Sequence, residues 1–167
     1  MIVVADASPI IFLGKIDCLA LIGRLFKGQV YLPQSACDEM LAPPLAPAEA
    51  RSLQSFLARC RIEAVARPRQ FATAMSQADH DALTLAVRRR ADLLLADDRL
   101  MREMARVEHI RPMGTLGILL RAQAAGLHHA SETRRLVDIL IRRHSFRIGI
   151  EVYEAVLERI DVTGGGP

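Results

Sequence analysis

The chain is expected to fold as an open α/β domain with a mainly parallel sheet covered by helices, and three observations predict it. Ile2 to Ala5 and Leu93 to Ala96 are short unbroken apolar runs, the pattern of strands buried on both faces. Apolar residues recur at helical spacing between and after those runs. Of the 167 residues 51% are hydrophobic but only 4% aromatic, with no Trp, so the core is built from Leu, Ile, Val and Ala, which suits helices on a sheet. A chain of this length makes one domain that buries a core without disulfides.

Asp6 ends the first strand. Ser8 as N-cap and Pro9 at the first helical position predict a helix stopping near Gly14, and a second helix carries Leu19, Leu21, Ile22 and Leu25. Val30 to Leu32 form a strand closed by Pro33. Ser35 and Asp38 then have capping-box spacing for a helix to about Leu41, so Asp38 has a structural explanation that Glu39 lacks. Pro43, Pro44 and Pro47 read as a rigid connection rather than a domain boundary, because the helical pattern Leu53, Phe56, Leu57 resumes directly. Ile62 to Val65 is a short edge strand, and Arg67 to Gln77 is irregular or partly helical.

Asp79 is the expected N-cap of a helix from His80 to Arg90, with Asp81 in its first turn. After the Leu93 to Ala96 strand, Asp97 or Asp98 caps a helix ending near Val107, and Ile110 to Pro112 adds a short strand. Helix fills nearly all the rest: through Leu116, Leu119 and Leu120 to a stop at Gly126, from Ser131 through Leu136, Leu140 and Ile141, and along Val152, Val156 and Ile160. Residues 1–162 are read as the domain and 163–167 as a flexible tail, with Gly164 to Pro167 disordered.

Composition narrows the function classes. Cys18, Cys37 and Cys60 are widely spaced without a Cys-x-x-Cys pair, which indicates neither a zinc site nor a disulfide framework. The first apolar stretch has no basic leader and is interrupted by Asp6 and Pro9, so neither a signal peptide nor a membrane span is expected, and a cytoplasmic location follows as the default. The formal charge is +3, and twenty of the 22 basic residues are Arg, whose guanidinium grips phosphate in a bidentate manner.

The acids carry the main functional signal. They fall in four segments, at Asp6, at Asp38 with Glu39, at Asp79 with Asp81, and at Asp97 with Asp98. The first and last directly follow predicted strands, and in a parallel α/β sheet the carboxyl ends of the strands line one crevice. Two like charges about 4 Å apart repel by about 4 kcal/mol at an effective dielectric near 20, so convergent carboxylates imply a cation or raised pKa values. Mg2+ or Mn2+ is the natural candidate, since magnesium prefers oxygen ligands from a few carboxylates, waters and substrate phosphates. Such an ion supports phosphodiester hydrolysis by water, with no protein nucleophile.

Within each pair, helical geometry separates the roles. Asp79 and Asp81 are two residues apart and point to nearly opposite sides of a helix, which gives Asp79 the cap and Asp81 the ligand role. One of Asp97 and Asp98 caps and the other ligates, and spacing leaves that choice open. Ser8 is read as a helix cap that also holds Asp6 or a bound water, and Arg99, directly after the last acids, as the contact for a substrate phosphate.

These residues resemble the PIN-domain ribonucleases, and in particular their prokaryotic toxin-like branch. The resemblance runs from about Ile2 to Ile160. It is carried by the opening Val-Val-Ala-Asp-Ala-Ser-Pro-Ile-Ile to Ile11, by Tyr-Leu-Pro to Pro33 followed by Asp38-Glu39-Met40, by Asp79-His-Asp-Ala-Leu, and by the strand into Asp97-Asp98-Arg99. Gly114-Thr-Leu-Gly-Ile-Leu-Leu-Arg-Ala, Ser145-Phe-Arg-Ile and Tyr153-Glu154 add to it. The resemblance implies a Rossmann-like three-layer α/β/α sandwich and a metal site of Asp6, Glu39, Asp81 and Asp98, with Asp79 and Asp97 as neighbouring acids. It further implies cleavage of single-stranded RNA with magnesium or manganese, a homodimer, and a cognate antitoxin protein that blocks the pocket. Ala7 and Ala96 depart from it, standing where relatives often carry a hydroxyl residue.

Other signals are weaker. Arg88 to Arg90 fan around a helix end and read as solvated, Arg134, Arg135, Arg142 and Arg143 as surface, and His128 and His129 as loop residues. An aspartyl phosphatase wants a second Asp where Ser8 stands, and a receiver domain wants a late lysine, whereas Lys15 and Lys27 are the only lysines. The competing reading is a catalytically weak or inactive module of the same kind that binds RNA or a protein partner.

Overall fold

The computed structural model describes residues 1–42, 44–72 and 74–164, the last two by backbone alone. Pro43 of the expected proline connection, Thr73 of the irregular segment and residues 165–167 of the expected tail lie outside the described residues.

The first half of the chain builds β1 (Ile2–Ala5), α1 (Ala7–Lys15), α2 (Ala20–Leu25), β2 (Gln29–Pro33), α3 (Gln34–Leu41), α4 (Pro47–Leu57) and β3 (Arg61–Glu63). The second half adds α5 (Gln77–Arg88), β4 (Leu93–Leu95), α6 (Arg99–Val107), β5 (Arg111–Met113), α7 (Thr115–Ala124), α8 (Ala130–His144) and α9 (Ile150–Gly164). The last helix takes in 163 and 164, the first two residues of the expected tail.

Five strands lie in the order β3-β2-β1-β4-β5, and every neighbouring pair is parallel. Val3 sits opposite Val30 on one side and Leu93 on the other, which makes the first strand the centre of the sheet. Alternation along the strands then divides the core in two. Val3, Ala5, Leu93 and Leu95 pack with α1, α7, α8 and α9 residues such as Ile10, Ile118, Val137 and Ile160. Val4 and Leu94 face the opposite way, against Leu83 and Ala86 of α5 and Met101 and Ala105 of α6. Burial on both faces is why β1 and β4 read as unbroken apolar runs. The expected α/β architecture with helices on both faces is therefore what the chain adopts.

The described residues of 64–76 form no strand or helix, but they are tied down. The Arg69 amide donates to Thr84 Oγ1 at 2.8 Å, and the Phe71 amide to Nδ1 of buried His80 at 3.2 Å. The Arg88 to Arg90 run is not simply solvated. Arg88 donates to the carbonyls of Ala66 and Arg67 at 2.8 and 2.9 Å, and Arg89 pairs with Glu63 at 2.5 Å while lying over the Tyr31 ring. These arginines pin the chain that passes over β3 to the end of α5. Among the described residues no helix is long and apolar enough to cross a membrane.

Candidate active site

The strand order reverses between β1 and β4, which run side by side although α1 to α5 separate them in sequence. In parallel α/β sheets the crevice outside the carboxyl ends at such a point is where ligands bind. Asp6 and Asp97 each follow one of these two strands. The Asp6 amide donates to Leu95 O at 2.9 Å, and the Ala96 amide to Met113 O at 3.0 Å, so the ends of β1, β4 and β5 are locked together.

Asp6 is the N-cap of α1, the role expected of Ser8. Its φ of −81° and ψ of 167° are extended, whereas Ser8 already lies inside the helix. Ser8 instead donates to Asp6 Oδ2 twice, from its hydroxyl at 3.0 Å and from its amide at 3.4 Å. Asp6 is only 4% exposed. Burial pushes its carboxyl up to about 6, against the lowering effect of the Ala7 and Ser8 hydrogen bonds, and the charge of Asp79 raises it further.

Asp97 is held by the start of α7. Thr115 donates to it from its amide at 2.7 Å and its hydroxyl at 2.6 Å, placing the carboxylate at a helix N-terminus. Burial raises this carboxyl above the usual range, while Thr115 and Arg102 act to lower it. Arg102 also donates to the Asp97 main-chain carbonyl. Gly114 makes the approach possible, because a Cβ there would lie 2.7 Å from Asp97 Oδ1 and 3.3 Å from Ala96 O. Asp98, by contrast, is exposed and is the N-cap of α6, accepting the Met101 amide at 2.8 Å.

The α5 acids also depart from their expected arrangement. Ser76 is the N-cap, so the helix opens at Gln77, three residues ahead of the expected His80. Asp79 stands at N3, where it accepts the Ser76 amide at 2.8 Å and donates its own amide to Ser76 Oγ at 3.1 Å, a reciprocal capping box. Its negative charge is nonetheless felt at Asp6. Asp81 points toward α3, accepting Ser35 Oγ at 2.8 Å and Gln77 Nε2 at 3.1 Å.

Asp38, unlike Asp79, takes no part in a cap. Pro33 occupies that position without a side-chain bond, and Asp38 sits in the second turn, accepting Gln34 Nε2 at 2.8 Å. Glu39 is exposed on α3. It lies one turn beyond Ser35 on the same face, and so on the side of α3 that meets Asp81.

Asp6 and Asp97 thus stand at the adjoining strand ends of the reversal point, the charge of Asp79 bears on Asp6, Asp81 and Glu39 lie toward α3, and Asp98 is engaged in capping. Among the described residues no three His, Cys, Asp or Glu side chains are grouped closely enough to hold an ion unaided. The donor chemistry still fits a hard divalent cation. Asp6 is a buried carboxylate that feels the charge of another acid, and magnesium completes its shell with waters and substrate oxygens.

Of these acids Asp97 and Asp98 line a cleft of about 810 Å³, which also takes in Ser8, the residue that donates to Asp6. Gly114, Phe12, Phe146 and Val152 share its lining with Arg99, Arg102 and Arg147. Arg99, the expected phosphate contact, is tied to Glu103 at 2.8 Å and is 87% exposed, whereas Arg102 lies against Asp97. Thr115, Arg102 and Ser35 escaped sequence reasoning. Thr115 carried a usable signal, since it follows the predicted strand Ile110 to Pro112 at the same sheet edge as Asp6 and Asp97.

A family model described as PIN domain matches residues 2–162. No curated protein matches the chain.

Proposed function

This chain belongs to the PIN-domain family, whose members are generally nucleases, and on that premise we propose that it is a metal-dependent endoribonuclease that cleaves single-stranded RNA. One observation carries the proposal: two carboxylates, buried Asp6 and half-buried Asp97, stand at adjoining strand ends, with the charge of Asp79 bearing on Asp6.

Asp6, Asp97 and Asp79 are the residues that would hold Mg2+ or Mn2+, with Asp81 and Glu39 beside them. When bound, the metal lowers the pKa of a water and neutralises charge on the phosphodiester as it is attacked. The remaining work falls to the chain itself. Ser8 fixes the orientation of Asp6, and Thr115 that of Asp97, so that neither must reorganise when substrate arrives. Arg102 and Arg147 present guanidinium groups along the cleft, suited to the phosphates of a bound strand. No serine or cysteine nucleophile is needed.

Labelled RNA incubated with the purified protein and magnesium or manganese tests this, beside an Asp6→Asn variant. Cleavage by the wild type, abolished by EDTA and reduced roughly a hundredfold or more in the variant, supports it, at about 1.4 kcal/mol of barrier per tenfold. Equal activity in both preparations refutes it.

A second reading, a module of the same family that binds RNA or a protein partner without cleaving, has its own observation. Both oxygens of Asp81 and the carboxylate of Asp98 are occupied by protein hydrogen bonds. RNA binding without cleavage under any metal favours it. The toxin role, the antitoxin, the homodimer and the cytoplasmic location rest on the resemblance. A small adjoining reading frame whose product co-purifies and inhibits cleavage supports the toxin role, and the mass in solution tests the dimer.

A further inference from the structure

We propose that the apolar lining of the cleft around Phe12 is a subsite for one unpaired nucleobase, stacked on Phe12 beside the phosphate held near Ser8 and Asp97. The inference rests on the nuclease reading above and deepens it.

The cleft is larger and more apolar than a metal and a phosphate require. Ser8 and Phe12 are four residues apart on α1, so they share a face about 6 Å apart along the helix axis. Ser8 touches Asp6, and both Ser8 and Phe12 line the same cleft as Asp97. A strand with its phosphate at the acids therefore places its next base near Phe12. Phe12 is half-buried and meets Phe146 edge to face, with centroids 4.7 Å apart and planes at 88°. That contact fixes the Phe12 ring before any ligand arrives. Arg147 follows Phe146 directly and is exposed on the same cleft, within reach of a phosphate flanking the base.

An aromatic ring with guanidinium groups beside it is the standard means of holding single-stranded nucleic acid, because every base offers a π-face and every linkage a charge. A paired base is shut inside its duplex and cannot reach Phe12 without leaving the stack. The subsite thus gives a physical reason for selecting single strands.

The test is calorimetric titration of the protein, in magnesium, with adenosine monophosphate, uridine monophosphate and ribose 5-phosphate. We expect both nucleotides to bind at least roughly tenfold more tightly than ribose 5-phosphate, since only they carry a base. Phe12→Leu, which keeps most of the apolar volume but removes the π-face, should bring them down to the ribose 5-phosphate affinity with helix content preserved and only the small loss of stability that goes with the Phe146 contact. Arg147→Ala, at an exposed site, should weaken all three ligands alike. Equal affinity for the three in the wild type, no binding by any, or nucleotide binding untouched by Phe12→Leu overturns the subsite. The nuclease reading fails separately: if no RNA is cleaved but nucleotides still bind through Phe12, the subsite stands in a binding module.

Discussion

Thr115 grips both oxygens of Asp97, its amide meeting Oδ1 at 2.7 Å and its hydroxyl Oδ2 at 2.6 Å. The two residues come from the ends of different strands, so this pair sets the position of one strand end against the next. Thr115→Val keeps the shape and removes one donor to a charged acceptor. A loss of about 1.5–3 kcal/mol of stability is expected, the range for a hydrogen bond to a charged group. The Asp97 carboxyl should also rise further, because a contact that lowers it is gone. Thermal melts and carbon-detected titration of Asp97 check the two effects.

Gly114→Ala tests the same carboxylate sterically. The Gly114 backbone, at φ −94°, is open to alanine, so any effect comes from the Cβ that would lie 2.7 Å from Asp97 Oδ1. Asp97 should be forced to turn, and RNA cleavage should drop roughly a hundredfold, about 3 kcal/mol of barrier, with helix content preserved. Activity within a fewfold of wild type would show that Asp97 tolerates displacement.

Asp6→Asn should separate stability from activity. The folded carboxyl sits at about 6 against an ordinary 3.8, so below pH 3.8 both folded and unfolded states are protonated and the group is neutral to stability. As pH rises from 3.8 through 6 the unfolded chain ionises first, and folding stability falls. Above that window the full penalty applies, about 3 kcal/mol at 1.36 kcal/mol per unit. In EDTA at pH 7.5 the variant should therefore melt higher than wild type, and at pH 3 the two should agree. Its RNA cleavage should nonetheless be largely lost. A lower melting temperature at pH 7.5 would count against an uncompensated charge at Asp6.

Asp97→Asn and Asp98→Asn divide the last acidic pair. Asn caps helices about as well as Asp, so Asp98→Asn should leave both stability and cleavage within a fewfold of wild type. Asp97→Asn should abolish cleavage. Rates for the two variants measured side by side decide which acid serves the site, and the reverse ranking would move the site to the α6 cap.

How much of this was legible in the sequence depended on whether a feature is local. Ile2 to Ala5 and Leu93 to Leu95 announce themselves because strands covered on both faces must be apolar throughout, and the acids behind them follow from topology. Capping was less readable. Ser76 and Asp79 form a box of the expected spacing, yet the apolar pattern of α5 begins only at Ala82 and Leu83 and drew the predicted start inward. Asp6 took the cap expected of Ser8 because an acid ending a strand also serves as the cap of the helix that follows it. The Thr115 contact spans 18 residues and two strand ends, so no periodicity could encode it.

The division of the core along the central sheet has a consequence for the newly made protein. Asp6 and Thr115 are set by helices packed on one face, α1 and α7, while Asp79 belongs to α5 on the other. A chain that has consolidated only one layer has at most part of the acid set in place. On the proposed function, such a partly folded molecule would not cleave the RNA around it.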